Sequence, residues 1–350
     1  METKIFSPDS TPTFIESLTE AADIIKNGGL VVFPTETVYG LGADATNPNA
    51  TEKIYKAKGR PSDNPLIIHI SNPEDAELYT YTNSAYYSLA EAFMPGPLTV
   101  VLKSKSTVPP TTRGGLDTVA VRCPENIIAR ELIARAGVAI AAPSANLSGS
   151  PSPTSFSHAY SDMNGRVDAI IDGGDCDFGL ESTIVKVNGD NSVTLLRPGK
   201  ITKEDIESLG ISVSVADAVT EVLKENEIAI SPGMKYKHYA PNAPLVLLDG
   251  DIDKIVSYIT SLDTKNNRIA VIAYENEADQ ITNVVDSVDV YRFGERGDEA
   301  TQAHLLFKIL RDTNKKQYTT IYAPLPGKSG IGLALYNRMI RAAAHNIIRL

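Results

Sequence analysis

Leu30-Val31-Val32-Phe33-Pro34-Thr35-Glu36-Thr37-Val38-Tyr39-Gly40-Leu41-Gly42 is the stretch that sets the fold class. Its first four residues are apolar on both sides of a pleat, the pattern of a strand buried between two layers. Pro34 closes that strand, because proline has no amide hydrogen for a ladder. A helix precedes it. Ser10 or Thr11 can cap it, Pro12 lies in its first turn, and Phe14, Leu18, Ala21 and Ile25 recur at helical spacing. Asn27-Gly28-Gly29 stops it. After Pro34 the chain turns hydroxyl-rich, and Gly40 and Gly42 read as places where backbone approaches a ligand.

Outward from this stretch, short apolar strands alternate with helices. The pattern predicts strands over 66–70, 98–102, 118–122, 138–142, 169–171 and 183–187, and helices over 51–58, 84–93, 125–136 and 202–209. Many of these strands are apolar on both faces, so a layered α/β core is expected rather than a sandwich. The texture changes at 231–244, SPGMKYKHYAPNAP, which is rich in proline and carries Lys235, Lys237, His238 and two tyrosines. Such composition reads as a connector across a surface. A second βα series follows, with strands over 245–248, 268–273, 288–291 and 319–323 and helices over 251–261, 299–310 and 333–348. The expected organisation is a first domain over 1–230, a linker over 231–244 and a smaller α/β domain over 245–350.

The chain has 350 residues, enough for two ordinary domains. Its formal net charge is -10, which argues against coating a nucleic-acid backbone by bulk electrostatics. Cys123 and Cys176 are the two cysteines, too few for a disulfide framework or a four-cysteine zinc site. The first ten residues are polar and no apolar run reaches bilayer length, so a cytoplasmic compartment is the expectation. Gly327-Lys328-Ser329 resembles the end of a phosphate loop, but the required earlier glycine is Tyr322. No H-E-x-x-H or G-x-S-x-G occurs.

Four segments carry chemistry. Pro34–Gly42 offers hydroxyls. Residues 53–69 crowd Lys53, Lys56, Lys58 and Arg60 before Gly59-Arg60-Pro61 ends the helix, and then deliver His69. An Arg fork beside a Lys point charge suits phosphate or carboxylate. Residues 141–149, AAPSANLSG, surround Ser144 and Asn146 with small side chains. Residues 179–185 with Leu196-Arg197-Pro198-Gly199 again pair hydroxyls with an arginine, and Arg122 ends the 118–122 strand. If these meet at strand ends, they form a crevice that holds anions in line rather than one built on a nucleophile.

PTETVYGLG, KAKGRPSDNPLIIHI, MPGPLTVVL, VAVRCP, APSANLSG, GLESTIVKV and LRPG, in this order, resemble the YrdC-type threonylcarbamoyl-AMP synthases. SPGMKYKHYAP and the second α/β region are similar to the long, two-domain form of that family. The resemblance implies a YrdC-like twisted open sheet flanked by helices, followed by a Rossmann-like α/β domain. It implies an enzyme that joins L-threonine, bicarbonate or dissolved carbon dioxide, and ATP into L-threonylcarbamoyladenylate and pyrophosphate, with magnesium accompanying ATP. A downstream threonylcarbamoyl transferase complex would then modify tRNA beside the anticodon. By similarity the catalytic set is Lys58, Arg60, Ser144 and Asn146. ATP would meet Arg60, Asn64, Thr118, Ser144, Ser152 and Arg197, with Tyr236 and His238 of the linker over it. Threonine would meet Thr35, Thr37, His69, Arg122, Ala142 and Ser182. No protein metal ligands are implied. The alternatives are an RNA-binding module and an acyl-phosphate hydrolase of related fold.

Overall fold

The computed structural model describes residues 2–7, 11–221, 238–264, 266–285 and 287–350. Ser10, and with it one of the two possible caps, and the 231–237 part of the connector lie outside the described residues. The chain divides into two compact units, Met1–Ser148 with Ser152–Tyr236, and Gly149–Pro151 with Lys237–Leu350. Inside the second unit the Gly149 carbonyl accepts from the Ala240 amide and the Pro151 carbonyl from Arg311.

The first unit is built on an eleven-stranded mixed sheet. From edge to edge its strands are Lys4–Phe6, Ala169–Ile171, Val31–Phe33, Gly40–Asp44, Ile140–Ala141, Ile67–His69, Thr118–Arg122, Leu98–Lys103, Thr183–Gly189, Ser192–Arg197 and Ser212–Val215. The helices Thr11–Lys26 and Ile127–Ala136 lie on it. Leu18, Ala21, Ala22 and Ile25 from the first, and Ala129, Leu132, Ile133 and Ala136 from the second, close a core with Val31, Phe33, Ile140 and Ile171. Each helix has a local reason to start and stop. Asn126 accepts from the amides of Ile128 and Ala129, and Gly137 ends the helix at φ 66°. Asn47 caps Pro48–Lys58 in the same way, and Gly59 ends it at φ 63°.

The strand at Gly40–Asp44 corrects the loop reading of that stretch. Its glycines face the ring of Phe33. A Cβ on Gly42 would lie 2.8 Å from both Ile140 and Phe33, and one on Gly40 3.2 Å from Phe33. The room the glycines leave is filled by the core, not by a ligand. Ser192–Arg197 and Ser212–Val215 also form strands, Phe156–Met163 a helix, and the 138–142 strand shortens to Ile140–Ala141.

The second unit holds five parallel strands in the order Val288–Arg292, Ile269–Ala273, Thr320–Pro324, Leu245–Asp249, Ile347–Arg349. Helices Ile252–Thr260, Glu275–Val284, Glu299–Thr313 and Gly330–Ala342 connect them, as parallel neighbours require. It is an open α/β sheet, but its fourth strand lies between the first two, unlike the dinucleotide-binding order. The 333–348 helix ends at Ala342. Ala344 and His345 take positive φ and turn the chain into the last strand.

Candidate active site

Lys58 is the last residue of its helix and is buried. Its Nζ donates to the main-chain oxygens of Ser144 and Asn146, and to Asn146 Oδ1 at 3.4 Å. Its own carbonyl accepts from the Ser148 amide. Ser144 Oγ completes the knot by donating to Asn146 Oδ1 at 2.5 Å. Lys58 is therefore a clamp on the 143–148 loop. The small residues around Ser144 serve close backbone contact: Leu41 N–H donates to Pro143 and Ala145 N–H to Tyr39. Arg60 donates to the carbonyls of Asn64 and Pro65 and fixes the turn into Ile67–His69. Thr118 opens its strand, and extending the register back from Ile67 opposite Ala120 sets it level with Pro65.

A polar row crosses the sheet. His69 and Arg122 are paired across neighbouring strands, and Thr99 lies level with Arg122 one strand further, because Val100 pairs with Val121. Paired residues share a face, so all three side chains stand on one side. Thr99 Oγ1 is 2.7 Å from Ser182 Oγ, which accepts from Arg197 Nη2 at 3.1 Å. Arg197 Nε donates to the Ser182 carbonyl. Ala142 donates its amide to the Ile67 carbonyl, and that register sets it on the same side. His69, Arg122 and Arg197 end their strands, Ser182 and Ala142 flank theirs, and Thr99 is one residue inside its own, so the row gathers at strand ends on one face of the sheet.

Glu36, like Thr99, is a residue that sequence reading passed over. Its Oε1 accepts from Arg122 Nη2 at 2.7 Å, and both side chains are buried. Arg122 Nε also donates to the Gly96 carbonyl. The signal was available: a buried arginine at a strand end needs a counter-charge. Glu36 stands between two threonines that drew the reading instead. Thr35 Oγ1 donates to the Val38 carbonyl and accepts from the Thr37 and Val38 amides, so it serves its own turn. Thr37 Oγ1 lies 2.8 Å from it. Ser152 Oγ donates to Glu181 Oε1 at 2.6 Å. Tyr236 lies outside the described residues. His238 falls in the second unit, its ring centroid 5.4 Å from that of Tyr239.

Burial pushes His69 down to about 3, and the neighbouring Arg122 cation adds to the shift. The imidazole is neutral at ordinary pH, held edge-on to Phe33. Burial pushes the Cys123 thiol up to about 12 and raises Cys176 as well, so neither offers a thiolate. Three buried polar atoms of this site have no hydrogen-bond partner: Glu36 Oε2, Asn64 Oδ1 and His69 Nδ1. Buried polar atoms without partners are uncommon, and here they mark where a polar ligand would be received. Of the carboxylates at hand, Glu181 accepts from Ser152, and Glu36 gives Oε1 to Arg122 while its Oε2 is unmatched. Among the described residues no three His, Cys, Asp or Glu side chains gather as a cation cage. The arrangement offers two guanidinium groups, a neutral imidazole and several hydroxyls, which suits a carboxylate and phosphates.

The family model Sua5_yciO_yrdC, described as telomere recombination, matches residues 23–199. A second, described as the C-terminal domain of threonylcarbamoyl-AMP synthase, matches 201–344. The chain is 41% identical over 343 residues to the threonylcarbamoyl-AMP synthase of Bacillus subtilis, covering 97% of each. It is 42% identical over 335 residues to that of Pyrococcus abyssi, covering 94% of this chain and 95% of the relative. The crystal structure of P. abyssi Sua5 complexed with L-threonine superposes with a TM-score of 0.90 at 38% identity, over the whole of both chains.

Proposed function

The chain belongs to the Sua5/YrdC family of threonylcarbamoyl-AMP synthases, and from that premise we propose how its site makes the adenylate. L-threonine, bicarbonate and ATP are the substrates, and L-threonylcarbamoyladenylate and pyrophosphate the products. The observation that carries this reading is the buried row His69, Arg122, Thr99, Ser182 and Arg197, with Glu36 beside it. Arg122 is suited to threonine's carboxylate through its planar fork. Neutral His69, with an unpartnered Nδ1, can accept from threonine's hydroxyl. Ser182 and Ala142 lie on the same face. Phosphates fall to Arg197, Arg60 and Asn64, with Ser144 and Ser152 as hydroxyl donors.

Threonine's amine forms a carbamate. The carbamate oxygen attacks the α-phosphorus and pyrophosphate leaves. Charge develops on the phosphoryl oxygens, and fixed donors there are typically the largest catalytic term. Lys58 contributes by holding the loop that presents Ser144, since its donors are engaged with carbonyls. Magnesium would enter with ATP, held by its phosphates. The adenylate is consumed by a transferase complex that modifies tRNA beside the anticodon, in the cytoplasm. Among the described residues no helix is long and apolar enough to cross a membrane.

The test is pyrophosphate release with all three substrates and with each omitted. Release that requires threonine and bicarbonate supports the reading. Release without threonine, or none, overturns it. Retardation of tRNA in a gel without pyrophosphate release would favour the RNA-binding alternative.

A further inference from the structure

We propose that Glu36 is a catalytic residue: its Oε2 receives threonine's α-amino group and takes the proton that must leave before the amine can attack. The inference rests on the synthase reading and supplies what that reading lacks. Threonine arrives as an ammonium, which has no lone pair. A base must therefore lie within hydrogen-bond reach of it. Glu36 is buried, and its two oxygens have different fates. Oε1 accepts from Arg122 Nη2 at 2.7 Å, while Oε2 is buried without a partner. Leaving a buried carboxylate oxygen unmatched costs stability, so the fold retains it against its own interest. Arg122 and Glu36 together present a cation and an anion side by side, the complement of an amino acid's carboxylate and ammonium. The Glu36 carbonyl accepts from the Phe178 amide, which fixes the backbone from which the side chain reaches.

The step balances with bicarbonate. The amine nitrogen bonds to the bicarbonate carbon, and the carbon's bond to its hydroxyl breaks. The hydroxyl leaves as water with one ammonium proton, and the second rests on Glu36 Oε2. The carbamate keeps one hydrogen on nitrogen and a negative charge on oxygen. Glu36 gives its proton to solvent as products leave.

Several charged and titratable groups face Glu36. Arg122 and the Cys123 thiol approach from the strand end, with His69 beside Arg122. The Cys176 thiol approaches from the 175–178 segment, which also carries Asp175 and Asp177. Both thiols stay protonated and His69 neutral through the neutral range, and Arg122 is the cation paired with Glu36.

The experiment compares the full-length protein with Glu36→Gln and Glu36→Asp, following pyrophosphate release from pH 6.5 to 9.5 at saturating ATP and bicarbonate. Glutamine keeps the acceptor for Arg122 but cannot take a proton. Its rate should fall by about 10²-fold or more near neutrality, in the range of a lost general base. It should then climb about tenfold per pH unit towards the amine's own pKa, as solution does the deprotonation, with KM for ATP within about twofold. Glu36→Asp keeps a base and should follow the wild-type profile at a lower rate; it carries the test if the glutamine variant does not fold. A glutamine profile parallel to wild type, or an aspartate profile that climbs like a free amine, overturns the proposal. Failure of the synthase reading shows separately, as absent threonine-dependent release in the unaltered protein.

Discussion

The ammonium of Lys58 sits 2.5 Å from the main-chain oxygen of Asn146, with both residues buried. That contact ties the end of one helix to a loop 88 positions away and makes the 143–148 loop a fixed shelf. Lys58→Met removes the donor and strands buried carbonyl oxygens, each costing about 1–3 kcal/mol. Thermal unfolding of the variant should begin several degrees lower. Its KM for ATP should rise while that for threonine holds, because Ser144 lies on the loop and Arg122 does not. An unchanged melting temperature would refute the clamp.

Arg122 and Glu36 make the second long-range tie. Truncating one member of a buried pair leaves an uncompensated charge and typically costs about 3–5 kcal/mol. Arg122→Gln should therefore destabilise strongly and abolish threonine-dependent turnover. Arg122→Gln with Glu36→Gln should recover most of the stability, because no ion is then left alone, yet recover no turnover. Chemical unfolding of the two single variants and the double one measures the coupling. If the double variant is as unstable as the sum of the singles, the pair is not coupled as described.

Much of the site's composition was legible from sequence because cations at element ends and hydroxyls beside proline and glycine are local signals. Lys58, Arg60, Arg122, Ser144 and Arg197 all announce themselves within a few residues. The partners do not. Glu36 meets Arg122 from 86 positions away, and Thr99 meets Ser182 from 83. Those pairings come from strand order, which no local pattern encodes. The strand at Gly40–Asp44 was hidden for a related reason. Its glycines are a turn signal locally, and only the crossing ring of Phe33 explains them. In the second unit, a helical period running past 342 concealed the last strand, because the break is made by backbone angles at Ala344 and His345.

His69 gives a pH signature. Burial and Arg122 hold its folded-state pKa near 3, below the unfolded value near 6.5. Between those values the unfolded chain binds a proton that the folded chain refuses. Stability from this group is complete above about pH 6.5 and is lost as pH falls towards 3, at up to about 1.4 kcal/mol per pH unit. His69→Gln should flatten the wild-type fall in unfolding free energy between pH 6.5 and 4.5. Equal slopes in the two proteins would show that His69 is not held neutral.

Gly42 tests whether the glycines serve packing or a ligand. A Cβ there would lie 2.8 Å from Ile140 Cγ2 and from Phe33 Cε1, inside the closest approach of carbon atoms. Both neighbours are fully buried, so neither can swing into solvent. Gly42→Ala should cost about 1–3 kcal/mol, the usual range for overpacking a filled core. Because Phe33 is edge-on to His69, with ring centroids 6.1 Å apart, its displacement should also raise KM for threonine. Gly40→Ala meets Phe33 only at 3.2 Å and Ala142 at 3.4 Å, so its effect on both readouts should be smaller. Urea unfolding with threonine titrations ranks the two variants. Equal stability of both with the parent, together with a rise in KM for ATP, would return these glycines to the ligand.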